Sequence, residues 1–389
     1  MRHVAVFAVL CAAAGMSGAQ TVTGAVYLDR NANGRRDTGE TGVANVAVSN
    51  QVDVVATDSS GAFILPRRGS GVVFVSLPEG YRSSGRFWQA ASRVPVAFGL
   101  APVPGGEFTF IHASDTHIQA SSVPRFDRLR AIIDSVSPAF VIITGDLVRD
   151  ALRVSEAEAT GYYELFVREA GRISVPVWTV PGNHELFGIE RDRSGVKPDH
   201  PLYARGMYHH YFGPDYYSFN AGGVHFVGLN TADVADQWYH GHVDSTQLEW
   251  LKRDLALVPP SVPVVTFNHI PLASAMQSLF GVDTQSPAPT LIRIDGKDYF
   301  RHVASNLVDV LGAIGGRPYP LALGGHNHAR ETTSFALEGR PPIRFEMTGA
   351  VVGPGGGNLL RMASGVTVYR VGNGRVSEGT FVRLDPPPR

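Results

Sequence analysis

The spacing of apolar positions changes character near residue 107, and that change divides the chain. Between residues 20 and 100, apolar and polar positions alternate in short runs at Val22–Leu28, Val43–Ser49, Ala62–Leu65 and Val72–Leu77. Each run is bounded by Gly, Pro, Asn or Asp, and a period of two between turn-formers marks half-buried strands. No stretch of helical period interrupts them. Residues 20–100 are therefore expected to form a small all-β, Ig-like sandwich of short antiparallel strands. Ala101-Pro-Val-Pro-Gly-Gly106 reads as a linker covering 101–106.

From 107 to 389 strands and helices alternate. Phe108–Ala113, Phe140–Thr144, Val175–Val180, Val224–Leu229 and Val262–Phe267 are apolar runs of strand length. Between the first two, Phe126, Leu129, Ile132, Ile133 and Val136 recur at helical spacing. Ser155 and Glu158 make a capping pair ahead of a second helix. A third helix is expected from about Thr246 to Leu257, and Val366–Val371 and Arg375–Val382 flank Gly372-Asn-Gly, a hairpin signal. The expected fold class is a large α/β domain preceded by the small all-β one.

A length of 389 residues suits that two-domain division. The formal net charge is −1, which provides no basic field to gather nucleic acid or anionic lipid, so neither is an expected partner. The first residues differ from the rest. Arg2 and His3 precede an apolar run from Val4 to Ala14, and small residues follow through Ala19. This three-part pattern predicts a secretory signal peptide over 1–19, with Ser17 and Ala19 at a small-x-small cleavage site. Its roughly 15 apolar or small residues fall short of the ~20 that span a bilayer. No other segment is apolar enough to cross a membrane. The expected location is secreted, periplasmic or cell envelope. Cys11 is the only cysteine, so the cleaved chain would hold neither a disulfide nor a thiolate metal ligand.

Candidate chemistry follows the strands. Phe108–Ala113 leads into Ser114-Asp115-Thr116-His117, and Phe140–Thr144 into Gly145-Asp146. Val175–Val180 leads into Pro181-Gly-Asn183-His184-Glu185, Val262–Phe267 into Asn268-His269-Ile-Pro, and Pro320–Leu323 into Gly324-Gly-His326-Asn-His328. Each of these strands delivers Asp, Asn or His at its C-terminal end, where open α/β sheets place their sites. A lone His or Asp at a strand end is more often a cap, but the repetition within one domain points to a metal site. Carboxylate, amide and imidazole donors without thiolate suit Mn, Fe or Zn.

The ordered set Asp-x-His, Gly-Asp, Gly-Asn-His-Glu, His-x-Pro and Gly-His-x-His resembles the calcineurin-like metallophosphoesterase family from about residue 108 onward. The resemblance implies a β-sandwich flanked by helices and a phosphoric ester hydrolase with two divalent metal ions. It assigns Asp115, His117 and His328 to one ion and Asn183, His269 and His326 to the other, with Asp146 bridging. Two such ions clamp phosphate oxygens and turn a shared water into the attacking hydroxide. By the same resemblance His184 is not a ligand, and it is the candidate general acid for the leaving group. Glu185 is expected to orient a neighbouring loop or ligand. The substrate is expected to be a small phosphate ester, mono- or diester.

Departures from the family's patterns narrow the choice. Purple acid phosphatases carry a tyrosine three residues after the Gly-Asp aspartate, where this chain has Arg149. Serine/threonine protein phosphatases read Gly-Asp-x-Val-Asp-Arg-Gly, against Gly145-Asp-Leu-Val-Arg-Asp-Ala151 here. His209, His210, His240 and His242 are candidates to line the cleft or simply to pack in aromatic-rich loops. Tyr203, Arg205 and the tyrosines between 208 and 217 are candidates to grip substrate. His225 is expected to be structural, and Arg149 either contacts phosphate or pairs with an acid such as Asp150.

The small domain carries a second signal. Asp29, Asn31, Asn33, Arg35, Asp37 and Glu40 fall at positions 1, 3, 5, 7, 9 and 12 of a calcium-loop pattern, with Gly34 at position 6. The segment resembles the calcium-binding β-sandwich repeats of bacterial surface adhesins, which implies Ca²⁺ as a stiffening ion. A metal-free Asn/Gly turn is the plain alternative. A surface-binding protein, with the larger domain as scaffold, is the competing function.

Overall fold

The computed structural model describes residues 21–92, 95–285, 289–353 and 362–385. The predicted signal peptide and its Cys11 lie outside them. Among the described residues no helix is long and apolar enough to cross a membrane.

The first domain is a sandwich of two four-stranded sheets. One runs Ala62–Pro66, Thr21–Leu28, Val96–Pro102, Tyr81–Ser83; the other runs Val54–Ala56, Ala47–Ser49, Val72–Val75, Trp88–Ala90. Val22, Val26, Leu65 and Phe98 from the first join Val48, Val73 and Val75 from the second in one buried core. The expected all-antiparallel pairing is corrected at one place: Thr21–Leu28 runs parallel to Val96–Pro102, Gly24 facing Val96. Strands so far apart in sequence need no hairpin, so no local turn dictates their direction. The run Val43–Ser49 shortens to Ala47–Ser49.

The second domain packs two six-stranded sheets face to face. The first runs Val177–Val180, Phe140–Thr144, Phe108–Ala113, Gly365–Gly372, Arg375–Val376, with Thr380–Arg383 also on Gly365–Gly372. The second runs Tyr217–Ala221, Val224–Gly228, Val264–Phe267, Leu321–Gly324, Ile343–Met347, Glu331–Phe335. Alternation along the strands decides what lies on each face. Phe140 and Ile142 enter the core between the sheets, where Phe140 meets Phe219 at 5.4 Å and Phe226 at 5.5 Å, edge to face. Val141 and Ile143 enter the opposite core with Phe126, Leu129 and Ile133 of helix Val123–Val136 and Tyr163 and Phe166 of helix Glu156–Ala170. The Ser155 side chain caps the latter by accepting from the Glu158 N–H at 3.3 Å. The hairpin at 372–374 closes as expected: Gly372 pairs with Arg375, and Asn373 and Gly374 take φ of 52° and 71°. Two consecutive positive φ values are what a type I′ turn requires, and Asn-Gly tolerates them.

The two domains share their core. Trp250, on helix Ser245–Leu255, is buried against Phe74 of the first domain and donates its indole N–H to Ser49 Oγ at 3.1 Å. Ser76 Oγ and Ser218 Oγ lie 2.8 Å apart, and Ser218 donates to Asp254, which in turn pairs with His225 at 2.8 Å. His225 is thus structural, as expected.

In the loop Asp29–Glu40 the acids are held by the chain itself. Asp29 accepts the N–H groups of Asn33 and Gly34, and Glu40 accepts those of Arg30 and Asp37. Gly34, at the sixth position, takes φ of 74°. Asn31 and Asn33 turn their amide N–H groups to Asp37, and Arg35 N–H donates to Asn33 Oδ1.

Candidate metal centre

The strand ends named above converge on one point. Asp115, His117, Asp146 and His328 each turn a donor atom toward a common spot, with all four atoms within 4.8 Å of one another; Asp146, His269 and His326 do the same beside it. Among the described residues these are the groups of three or more His, Cys, Asp or Glu side chains so arranged. Asp146 belongs to both. Its Oδ2 lies 3.4 Å from His117 Nε2, and its Oδ1 lies 3.1 Å from His269 Nε2. His328 Nε2 is 3.4 Å from Asp115 Oδ1, and Asn183 Oδ1 is 3.2 Å from His269 Nε2. All seven residues expected as ligands are therefore brought together.

Local backbone geometry explains how loops this short aim so many side chains at one spot. Asp115, His117, Asp146, His326 and His328 all take positive φ, between 38° and 72°. For a non-glycine residue that conformation costs on the order of 1 kcal/mol or more and persists only where the surroundings impose it. Glycines allow the loops to touch. A Cβ on Gly145 would stand 2.6 Å from Gly182 N and 2.7 Å from the His269 side chain. One on Gly325 would stand 1.8 Å from Ser114 Oγ.

Electrostatics fit a pair of cations. Burial opposes charge on Asp146, yet His269, His184 and His117 around it hold its pKa well below the usual carboxylate range. Burial likewise opposes charge on His269, but the Asp146 and Asp115 carboxylates raise it to about 9. His328 is raised in the same way, Asp115 overcoming burial. Burial and the neighbouring His184 lower His117 to about 3, keeping a lone pair on its ring. Asp115 and Asp146 thus make this spot favourable for positive charge. His269 donates Nδ1–H to the Thr144 carbonyl at 2.7 Å, which reserves Nε2 for the site.

His184 and Glu185 border the two donor groups without being part of either. The Nδ1–H of His184 donates to the Arg149 carbonyl at 2.8 Å, leaving Nε2 toward the site, 3.9 Å from Asp146 Oδ2. Glu185 is fully buried. Its Oε1 accepts from Leu147 N and Val148 N, and its Oε2 from Gly182 N, so one carboxylate ties the Asp146 loop to the Asn183 loop. Burial and the charge of Asp146 push it up to about 8.

The outlying candidates, left open between cleft and packing, have the following neighbours. His209 sits on helix Gly206–Phe212 and pairs with Asp215 at 2.9 Å; His242 pairs with Asp233 at 2.9 Å. His240 is buried on strand Trp238–Gly241, against Tyr299, and His210 is exposed beside Tyr211. Arg205 bonds Asp233 and Asp244. Tyr208 and Tyr217 donate their hydroxyls to the Thr179 carbonyl, and Tyr216 to that of Gln51, while Tyr203 accepts from Arg191. Asp150 pairs with Arg153 rather than Arg149. The buried Tyr208, Tyr216 and Tyr217 hydroxyls thus find backbone carbonyls, as buried polar atoms generally must. One neighbour escaped sequence reasoning. His302 lies 2.7 Å from His326, on a segment with no motif to flag it.

A family model described as Calcineurin-like phosphoesterase matches residues 108–329. A second, described as N terminal of Calcineurin-like phosphoesterase, matches residues 30–94. The chain is 24% identical over 215 residues to the cAMP/cGMP dual specificity phosphodiesterase of Mycobacterium tuberculosis, covering 52% of this chain. That match spans 63% of the relative, less than two thirds of its length. It is also 24% identical over 254 residues to a probable cyclic nucleotide phosphodiesterase of Rhodococcus erythropolis, covering 61% of this chain and 70% of that protein. Among solved structures, a dimetal phosphatase from Danio rerio is 15% identical, with a TM-score of 0.45 over 72% of this chain and 99% of that one.

Proposed function

The chain belongs to the calcineurin-like phosphoesterase family, and from that premise we propose that it hydrolyses a phosphodiester at a dinuclear metal centre with His184 as general acid. A metal-dependent phosphoester hydrolase is the coarse description the family match carries. The observation behind the finer reading is the convergence of all seven expected donors, with Asp146 facing both groups. Asp115, His117 and His328 would hold one cation, Asn183, His269 and His326 the other, and Asp146 both. When bound, such a pair supplies charge for the phosphate oxygens and lowers the pKa of the attacking water. The chain's own part is positional and acidic. Arg149 accepts from His184 Nδ1 and so holds Nε2 toward the site; the proton on Nε2 passes to the leaving alkoxide as the P–O bond breaks. A diester is preferred over a monoester because both curated relatives are named cyclic nucleotide phosphodiesterases.

The competing surface-binding function rested on the first domain alone. That domain matches the family's own N-terminal model and shares a core with the second.

The test is hydrolysis of bis-nitrophenyl phosphate, nitrophenyl phosphate and a cyclic nucleotide by the Mn²⁺-loaded full chain, with a chelator control. Turnover of the diesters above the monoester, lost on chelation, is the expected result. A preference for the monoester would replace the diester reading, and no turnover with two ions bound would overturn it.

We propose Ca²⁺ for the loop Asp29–Glu40 on its twelve-residue spacing and the left-handed Gly34. Millimolar Ca²⁺ is expected to raise the unfolding temperature of the wild-type chain but not of Glu40→Gln. Equal melting of wild type with and without Ca²⁺ would leave the loop a metal-free turn held by its own hydrogen bonds.

A further inference from the structure

The outer edge of His326 is closed by a residue that none of the motifs contains. His326 turns Nδ1 inward, 3.2 Å from His269 Nε2. A neutral imidazole offers one lone pair and one N–H, so if Nδ1 donates its lone pair to a cation, the ring proton must sit on Nε2. That nitrogen lies 2.7 Å from His302 Nδ1. The contact is attractive only if His302 Nδ1 accepts, with the His302 proton on its own Nε2.

The backbone carrying His302 is tied down on both sides. Arg301 N donates to Thr290 O at 3.1 Å, and the Arg301 guanidinium to Pro289 O at 3.0 Å. Ala304 N donates to Pro271 O and Ser305 N to Gly241 O, each at 2.9 Å. Pro271 lies just beyond His269, so the segment is braced against a loop that carries a ligand. Tyr239 meets the His326 ring edge-on at 5.8 Å, and the Arg301 guanidinium covers the Tyr239 ring at 4.0 Å. His326 is therefore flanked by a ring nitrogen on a braced segment and by an aromatic edge.

We propose that His302 is a positioning residue: its Nδ1 accepts the Nε2–H of His326 and thereby fixes the tautomer and ring plane with which His326 meets the second cation. An outer partner of this kind typically changes metal affinity by about 10–100-fold when removed. The inference rests on the dinuclear reading, and its test separates the two.

The metal-stripped full chain is titrated with Mn²⁺ alone, followed by the paramagnetic signal of free Mn²⁺. Wild type is expected to bind two ions. His302→Ala should weaken the second by about 10–100-fold and spare the first. His302→Asn, whose amide oxygen stands near the lost Nδ1, should restore most of the affinity, whereas His302→Gln should not. If His302→Ala does not fold, the Asn and Gln variants decide by the same comparison. Wild-type affinities in His302→Ala, or equal affinities in the Asn and Gln variants, would overturn the role. Fewer than two ions on wild type would instead overturn the dinuclear reading beneath it.

Discussion

Replacing Asp146 with alanine is expected to empty both cation positions and to lower kcat/KM by on the order of 10³–10⁵. The estimate combines several kcal/mol of charge stabilisation per cation with a tenfold rate change per 1.36 kcal/mol. Asp146 is the residue common to both donor groups. Its two oxygens face His117 and His269 separately, so no other side chain replaces it by turning. Its removal also reaches His184, whose backbone N–H donates to Asp146 Oδ1 at 3.0 Å. Metal analysis after dialysis is the direct measurement. A variant that retains two ions per chain would show that Asp146 does not bridge.

His184→Ala is expected to behave in the opposite way, keeping two ions per chain while losing about 10²–10⁴ in rate on an alkyl phosphodiester. The loss should shrink to roughly tenfold or less on a nitrophenyl diester, because nitrophenolate leaves without a proton. The basis is geometric: Nδ1 is engaged by the Arg149 carbonyl and Nε2 points at the site without belonging to either ligand group. Comparing the two leaving groups on the same variant makes the test specific. Equal losses on both would mean that His184 organises the site rather than donating a proton.

Much of the centre was legible because each ligand lies in a motif of a few residues at the end of an apolar run. Strand direction then aims those motifs to one side of the sheets, as with Ala113 before Asp115 and Thr144 before Asp146. The elements that escaped are short or distant. Val54–Ala56, Tyr81–Ser83 and Trp88–Ala90 have three residues each, too few to display a period of two. His209, His210, His240 and His242 stayed open between cleft and packing for a different reason. An aromatic neighbourhood in sequence says nothing about which carboxylate lies opposite, and Asp215 and Asp233 turned out to hold His209 and His242.

By itself, then, the sequence determined the alternation of strands and helices and the Asp, Asn and His motifs at strand ends, because period and local motif are properties of neighbouring residues. The sandwich fold and the assignment of those residues as donors came from the family resemblance. Only the tertiary structure decided that five of those donors occupy left-handed backbone, that Glu185 locks two ligand loops together, and that His302 faces His326. It also decided that Trp250 and Phe74 make the two domains share a core. Each of these depends on atoms far apart along the chain, and their approach is set by packing that no local pattern encodes.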